Sequence, residues 1–335
     1  MPGPTTHDGL PPAARRSWFR DPFRPTDRGV HSSLSRIGFQ HATNSSRTAV
    51  KYHLKKQEAL EAGLQRVVRA LLLQASREAG TKDIPETGRI HIVRKRLKRA
   101  RAIHKLARPA LDEGRYRREQ AWFSDRGRRL SQARDVDVLV ETHVRLAHRS
   151  ARNTEGESAG DPVRGALNRL RREAHLESPP SRLLDEVAEE INARDWNTVS
   201  WVPAGTRPVP DALTPGIEHF ARALDDVERS PTGEQLHTLR KRVKDLGYQM
   251  DFVARRVPAA GKGLRRKVKR LGELLGWHHD VWLLADRVAA MEGLPAGVRQ
   301  SWKGLAEADG KRVEQRALAK ADKLRRAIAR KIGEQ

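Results

Sequence analysis

The sequence predicts an all-α protein made of two helical halves. Three observations carry this reading. Apolar residues recur at helical spacing along most of the chain, no stretch alternates apolar and polar residues as a half-buried strand would, and a basic segment returns after about 146 residues.

The elements follow in order. Residues 1 to about 46 are rich in Pro, Arg, Ser, Thr and Gly without lasting periodicity, so a flexible basic extension is expected. Asp8, Asp21, Asp27 and the prolines argue against a transit peptide there. A helical domain is expected over 47–332, with a first half at about 47–195, a proline-rich connector at about 196–215 and a second half at about 216–332. From Arg47 to Ala79, Leu60, Leu64, Val67, Val68, Leu71 and Leu72 mark one apolar face, and Gly80 stops the helix. The basic helix comes next and is closed by Pro109. Helices are expected at about 112–131 and 135–149, then a polar hinge at Ser150–Asp161, then helices near 162–175 and 180–193. After the prolines of 196–215, helices are expected at 216–228, 235–255, 261–275, 279–291 and 296–331.

The basic segment is His91–Lys105, HIVRKRLKRARAIHK, which contains no acid. Its opening returns at His237–Tyr248, HTLRKRVKDLGY. Positions i, i+3, i+4 and i+7 of an α-helix share a face. His91, Arg94, Lys95 and Lys98 therefore form one stripe, which Arg101 and Lys105 lengthen. His237, Arg240, Lys241, Lys244 and Tyr248 form the second. Ile92, Val93, Leu97, Ala100 and Ile103, and in the copy Leu239, Val243, Leu246, Met250 and Val253, face the core. Arg96 and Arg242 point away from the stripes. A solvated surface face is the ordinary explanation of such a pattern, but solvated faces mix signs and the first stripe does not. Neighbouring cations about 6 Å apart repel by about 3 kcal/mol per pair at an effective dielectric of 20. A fold stable by only ~5–15 kcal/mol cannot enclose two such stripes without solvent or an anion. Arginine offers phosphate a planar fork and lysine a movable point charge.

Composition agrees. The 335 residues carry a formal charge of +24, with pI ≈ 11.0, which calls for an anionic partner. There is no cysteine, which excludes disulfides and Cys-ligated zinc and is compatible with a reducing, cytoplasmic setting. No apolar run is long enough to span a membrane. Aromatic residues make up 5%, poor material for base stacking. The repeat extends past the stripes. LSQARDVDVL and LGWHHDVWLL place Asp135 and Asp280 at matching points, 145 residues apart. A duplicated bundle would pack its halves about a pseudo-twofold axis and bring both stripes to one channel.

These residues resemble the CHAD family, the conserved-histidine α-helical domain, over roughly 47–332. His91, Arg94, Lys98, Arg99 and Arg101 match its first motif. His237, Arg240, Lys241, Lys244, Leu246 and Tyr248 match its second, with Gly247 in place of the usual Arg. Arg134, Asp135, Asp137 and Val138 match a third, and Leu274, Leu275, Gly276 and Asp280 a fourth. The resemblance implies two helical bundles around a basic central pore. It also implies non-catalytic binding of inorganic polyphosphate, with association with polyphosphate granules, and no cofactor. The expected polyphosphate ligands are His91, Arg94, Lys95, Lys98, Arg99, Arg101, Arg134, His237, Arg240, Lys241, Lys244 and Lys269. Surrounding cations should depress the pKa of His91 and His237, and a polyanion should raise it, so that binding tightens as pH falls through the histidine range.

Asp135 and Asp280 precede apolar segments and are expected to act as N-caps or as anchors for arginines. His278, His279 and Asp280 diverge on a helix, so no metal is expected there. Trp277 and Trp282 are expected in core or interface. No Gly-rich phosphate loop, His-Glu-x-x-His, Gly-x-Ser-x-Gly or Glu-x-Glu-x-Lys signature is present, so no enzymatic activity is expected. The alternative is sequence-independent nucleic-acid binding through phosphate contacts. A narrow pore would admit a bare phosphate chain and exclude a duplex.

Overall fold

In the computed structural model the described residues are 52–151, 161–194, 209–257 and 260–333. Among them there are nine α-helices and no strand. The first five are α1 (Leu60–Ala79), α2 (Glu86–His104), α3 (Glu113–Ala151), α4 (Pro162–Glu177) and α5 (Pro180–Asn192). The others are α6 (Thr214–Arg229), α7 (Gly233–Val253), α8 (Lys262–Ala289) and α9 (Ala296–Gly333). The all-α expectation holds. The expected basic extension lies outside the described residues, as do most of the Ser150–Asp161 hinge and 195–208 of the connector region.

Local chemistry explains several boundaries. Asp161 caps α4 by accepting from the backbone N–H groups of Val163 and Arg164, with Pro162 in the first turn, where its missing N–H costs nothing. Thr232 and Gln235 form a reciprocal capping box at the start of α7. The helix expected from Arg47 begins only at Leu60. The residues before it are irregular, with Leu54 fully buried and its N–H donating to the Phe252 carbonyl. The α2 helix ends at His104, and Pro109 sits in the 3-10 segment Lys105–Ala110 that follows.

Two expected helix breaks are absent. The segments expected at 112–131 and 135–149 are one helix of 39 residues, and those expected at 261–275 and 279–291 are one of 28. The polar run Ser131–Asp135 contains no proline, and the glycine at 276 costs a helix only about 1 kcal/mol. Leu130, Ala133 and Leu139 are buried on either side of the first site, and Leu275, Trp277 and Val281 around the second, so packing outweighs that cost. Asp135 and Asp280 therefore lie inside helices, where no orphan N–H awaits a cap, and the N-cap expectation fails for both.

Packing repeats with the sequence. Helix α1 packs on α2 and α2 on α3, and likewise α6 packs on α7 and α7 on α8. Between the halves, α2 meets α7 and α3 meets α8. The core faces read from the sequence are buried, including Leu64, Val67, Leu71, Val93, Leu97, Ile103, Leu239, Val243 and Met250. Gln249, itself buried, donates from Nε2 to the Ala102 carbonyl at 3.0 Å and ties α7 to α2. Gly247 sits where α7 and α8 approach closely. A β-carbon there would stand 3.3 Å from Val268 Cγ1, so restoring the usual arginine requires Val268 to shift. Long α9 runs along α8, and its Asp309 is fully buried. That carboxylate accepts from Trp277 Nε1 at 2.6 Å, Arg149 Nη2 at 2.9 Å and Arg312 Nη2 at 3.1 Å, joining three helices.

Asp309→Ala leaves a buried indole N–H without its acceptor and strips two arginines of their partner. The expected loss is about 2–3 kcal/mol of unfolding free energy, read as a lower urea midpoint with unchanged slope.

Candidate anion-binding site

The paired stripes converge. Lys98 on α2 is acted on by Arg94 and Arg101 of its own helix and by Arg240 of α7. Lys95 feels Lys269 of α8, and Lys244 feels Arg240 and Lys95. The two helices thus present one field of positive charge. Among the described residues, Lys98, Arg240, Lys241 and Lys244 have no hydrogen-bond or ion-pair partner.

The arginines are held by the helices behind them. Ser131 Oγ donates back to the Gly127 carbonyl and accepts from Arg94 Nη2 at 2.5 Å. Ser124 Oγ does the same two turns earlier, donating to the Gln120 carbonyl and accepting from Arg101 Nη1 at 2.9 Å. In the second half the serine is replaced by space. A β-carbon at Gly276 would meet Arg240 Nε at 3.9 Å, and one at Gly272 would meet Lys244 Nζ at 3.4 Å. Small residues recur at i and i+4, Gly127–Ser131 and Gly272–Gly276, 145 residues apart, and of these Ser131, Gly272 and Gly276 lie behind stripe cations.

Burial and repulsion set the protonation states. Lys98 has the larger perturbation of the lysines. Burial first, then Arg94, Arg240 and Arg101, push its ammonium down to about 7, against a slight opposing pull from Asp135. Yet Lys98 remains in contact with solvent. Burial also leads the depression of His91 and His237, each to about 4, with Arg134, Lys95 and Arg94 adding at His91 and Lys241, Arg240 and Lys98 adding at His237. His279, with its ring centroid 4.4 Å from that of His237, is held at about 3 by burial, Arg240 and His237. Burial raises the pKa of Asp135 and Asp280, and the stripe cations oppose it. Asp135 stands 4.0 Å from Arg94 Nη1, so of the two expected roles the arginine anchor is the one it meets.

The twelve residues expected to bind the anion do not all join this field as free groups. His91, Arg94, Lys95, Lys98, Arg101, His237, Arg240, Lys241 and Lys244 belong to it directly. Arg99 acts on the charge of Lys95 but is itself claimed by Asp251 of α7, at 3.4 Å, and lies over the rings of Tyr52 and Tyr248. Arg134 lies beside His91 but its fork is held by Glu141, both bonds at 3.0 Å. Lys269 is exposed, 3.9 Å from Glu273. At the far end of the first stripe Lys105 is neutralised by Asp245, and Arg96, as expected, points away, paired with Glu78 at 2.7 Å. Trp277 is buried, as expected, whereas Trp282 is 50% exposed. Sequence reasoning missed the backing residues Ser124, Ser131, Gly272 and Gly276 and the His237–His279 contact. The i,i+4 small pairs at the repeat spacing were the signal for three of them.

The family model of the CHAD domain matches residues 62–289. Among solved structures, PptA from Streptomyces chartreusis aligns with a TM-score of 0.59 at 15% identity, covering 80% of this chain and 99% of that one. At that identity the likeness speaks for the fold. No curated protein matches. Among the described residues, no helix is long and apolar enough to cross a membrane.

The depressed histidines fix a pH dependence. The unfolded state takes up protons near the ordinary 6.5, the folded state only near 4. The stability they contribute is complete above 6.5 and is lost as pH falls towards 4. The free protein should therefore melt lower at each step down that range, and the His91→Gln/His237→Gln variant should show a shallower fall. Histidine NMR should find both rings neutral at pH 6; protonated rings at that pH would contradict the assignment.

Proposed function

The chain belongs to the CHAD family, and from that premise we propose that it is a non-catalytic binder of inorganic polyphosphate. The observation that carries the reading is the cation field shared by α2 and α7, in which Lys98, Arg240, Lys241 and Lys244 have no partner among the described residues. An extended phosphate chain is a complement for such a field. It supplies a charge at every unit, it is thin enough to lie between two helices, and it offers oxygen acceptors to arginine forks and lysine ammoniums. Hydrogen bonds to charged groups contribute about 1.5–3 kcal/mol each, so a few of them yield tight binding after the ordering cost.

The same reading places the two halves about a pseudo-twofold axis, with both stripes lining a central basic pore. Reciprocal ion pairs support it. Arg99 of α2 pairs with Asp251 of α7, and Lys105, the residue just after α2, pairs with Asp245 of α7. Position 251 lies 146 residues beyond 105, and 245 lies 146 beyond 99. Such an exchange, i to j′ and j to i′, is the mark of a self-complementary interface. Those acids neutralise one end of the α2–α7 seam and leave Lys98, Arg240 and Lys244 without an ion pair among the described residues. The reading extends, on the family resemblance, to cytoplasmic association with polyphosphate granules.

Proton linkage follows from the site. Burial and the neighbouring arginines hold the Lys98 ammonium down at about 7 in the free protein, and a neighbouring polyanion raises its pKa. Affinity therefore rises as pH falls towards 7 from the alkaline side. The histidine contribution appears lower, between their bound-state values and about 4.

A competition titration tests the proposal. Labelled long-chain polyphosphate is bound at fixed moderate salt and challenged with duplex DNA, RNA and pyrophosphate. DNA should compete poorly, and Arg94→Ala/Arg240→Ala should weaken polyphosphate binding by about a hundredfold. Displacement by duplex DNA at equal phosphate concentration, with normal binding by the double variant, would instead assign the affinity to diffuse surface charge and favour nucleic acid.

A further inference from the structure

The first stripe does not stop at His91. One turn earlier on the same face is Thr87, in the first turn of α2, where unsatisfied N–H groups give the helix end a partial positive charge. Thr87 lines an open cavity of about 610 Å³ between α3 and α4, together with Arg134, Asp137, Arg171, Arg172 and His175. Arg134 belongs to both places. It acts on the charges of His91 and Arg94 in the stripe and on Asp137 in the cavity.

The charges of the cavity are unequally spent. Glu141 occupies the fork of Arg134, and Asp137, 94% buried by its 6% exposure, faces His175 Nε2 at 3.6 Å. Asp137 Oδ2 and the buried Arg134 Nε have no hydrogen-bond partner. Arg171 and Arg172, from α4, make no ion pair with any described residue. Asp137 is acted on by His175, Arg134 and Arg171, and Glu141 is bound by Arg134, so three arginines face two carboxylates and cationic charge is left over at the cavity wall.

The matching place in the second half is built differently. Gly233 and Trp282 stand there, 146 and 145 residues beyond Thr87 and Asp137. The Trp282 indole lies against Gly233, 3.7 Å from where a β-carbon would be. One end of the repeated arrangement is covered by an aromatic ring, and the other opens into a cavity with two unpaired arginines.

We propose that the α3–α4 cavity is a further anion subsite, continuous with the α2 stripe through Thr87, His91 and Arg134, in which Arg171 and Arg172 hold the terminal phosphates of the chain. This rests on the polyphosphate reading above. The terminal unit suits the place chemically: it carries an additional ionisable oxygen and a third non-bridging acceptor for the two guanidinium forks. The duplicated halves then bind the polyanion asymmetrically, one of its two equivalent ends lodged on the α4 side.

The test compares two double variants of the full chain. Arg171→Ala/Arg172→Ala removes the cavity arginines. Arg164→Ala/Arg169→Ala removes two arginines of the same helix that do not line the cavity. Affinity for long-chain polyphosphate should fall about tenfold in the first and stay at the wild-type value in the second. Capping the chain ends as phosphoramidates should abolish that difference. Equal losses in both variants, no loss in the first, or an undiminished difference with capped chains would overturn the subsite. Loss in the first variant alone, accompanied by its disappearance on capping, supports it. The parent reading fails separately, through normal polyphosphate binding by Arg94→Ala/Arg240→Ala.

Discussion

The repulsion among Arg94, Lys98 and Arg240 is the constraint around which the rest of the molecule is arranged. These cations stand on two helices that pack against one another, and burial pushes the Lys98 ammonium down to about 7. Elsewhere along the seam the same helices carry their own compensation. Arg99 meets Asp251, Lys105 meets Asp245, and Gln249 bonds the Ala102 carbonyl. The buried leucines and valines on the opposite faces of α2 and α7 supply the apolar area that holds the seam together. Charge is neutralised where the halves meet and left unneutralised beside it, and that division is what a binding site for a polyanion requires.

Positioning comes from the long helices behind. Had α3 and α8 been broken where polar runs and glycine suggested, the serines and glycines under the stripes would not share a continuous face with the core residues that fix them. Their unbroken course places Ser124 and Ser131 under Arg101 and Arg94, and Gly272 and Gly276 under Lys244 and Arg240. Asp135 and Asp280, in helix interiors, temper the field without cancelling it. Asp309, joining α3, α8 and α9, keeps the backing helices in register.

Much of this was legible in the sequence because it depends on period. The apolar faces of α1, α2 and α7 follow from spacing alone, and the 146-residue return of the basic segment announced the paired packing. What escaped depends on partners distant in sequence. Lys98 and Arg99 are neighbours in the motif, but a helix turns them about 100° apart, and the acid that claims Arg99 lies far along the chain at Asp251. Helix ends were misjudged where a local propensity for a break met tertiary packing on both flanks, at Ser131–Asp135 and at Gly276–His279. The cavity at α4 arises only when that helix lies beside α3, and no local pattern around Arg171 and Arg172 marks it.

A site kept open for an anion should cost the free protein stability and return it on binding. Unfolding of Lys98→Met, a replacement of similar length without the charge, tests this most directly, with melting temperatures measured near pH 6 with and without long-chain polyphosphate. The account predicts a free variant at least as stable as the wild type, and a smaller rise in melting temperature when polyphosphate is added. A free variant that melts lower while gaining the full polyphosphate stabilisation would contradict it.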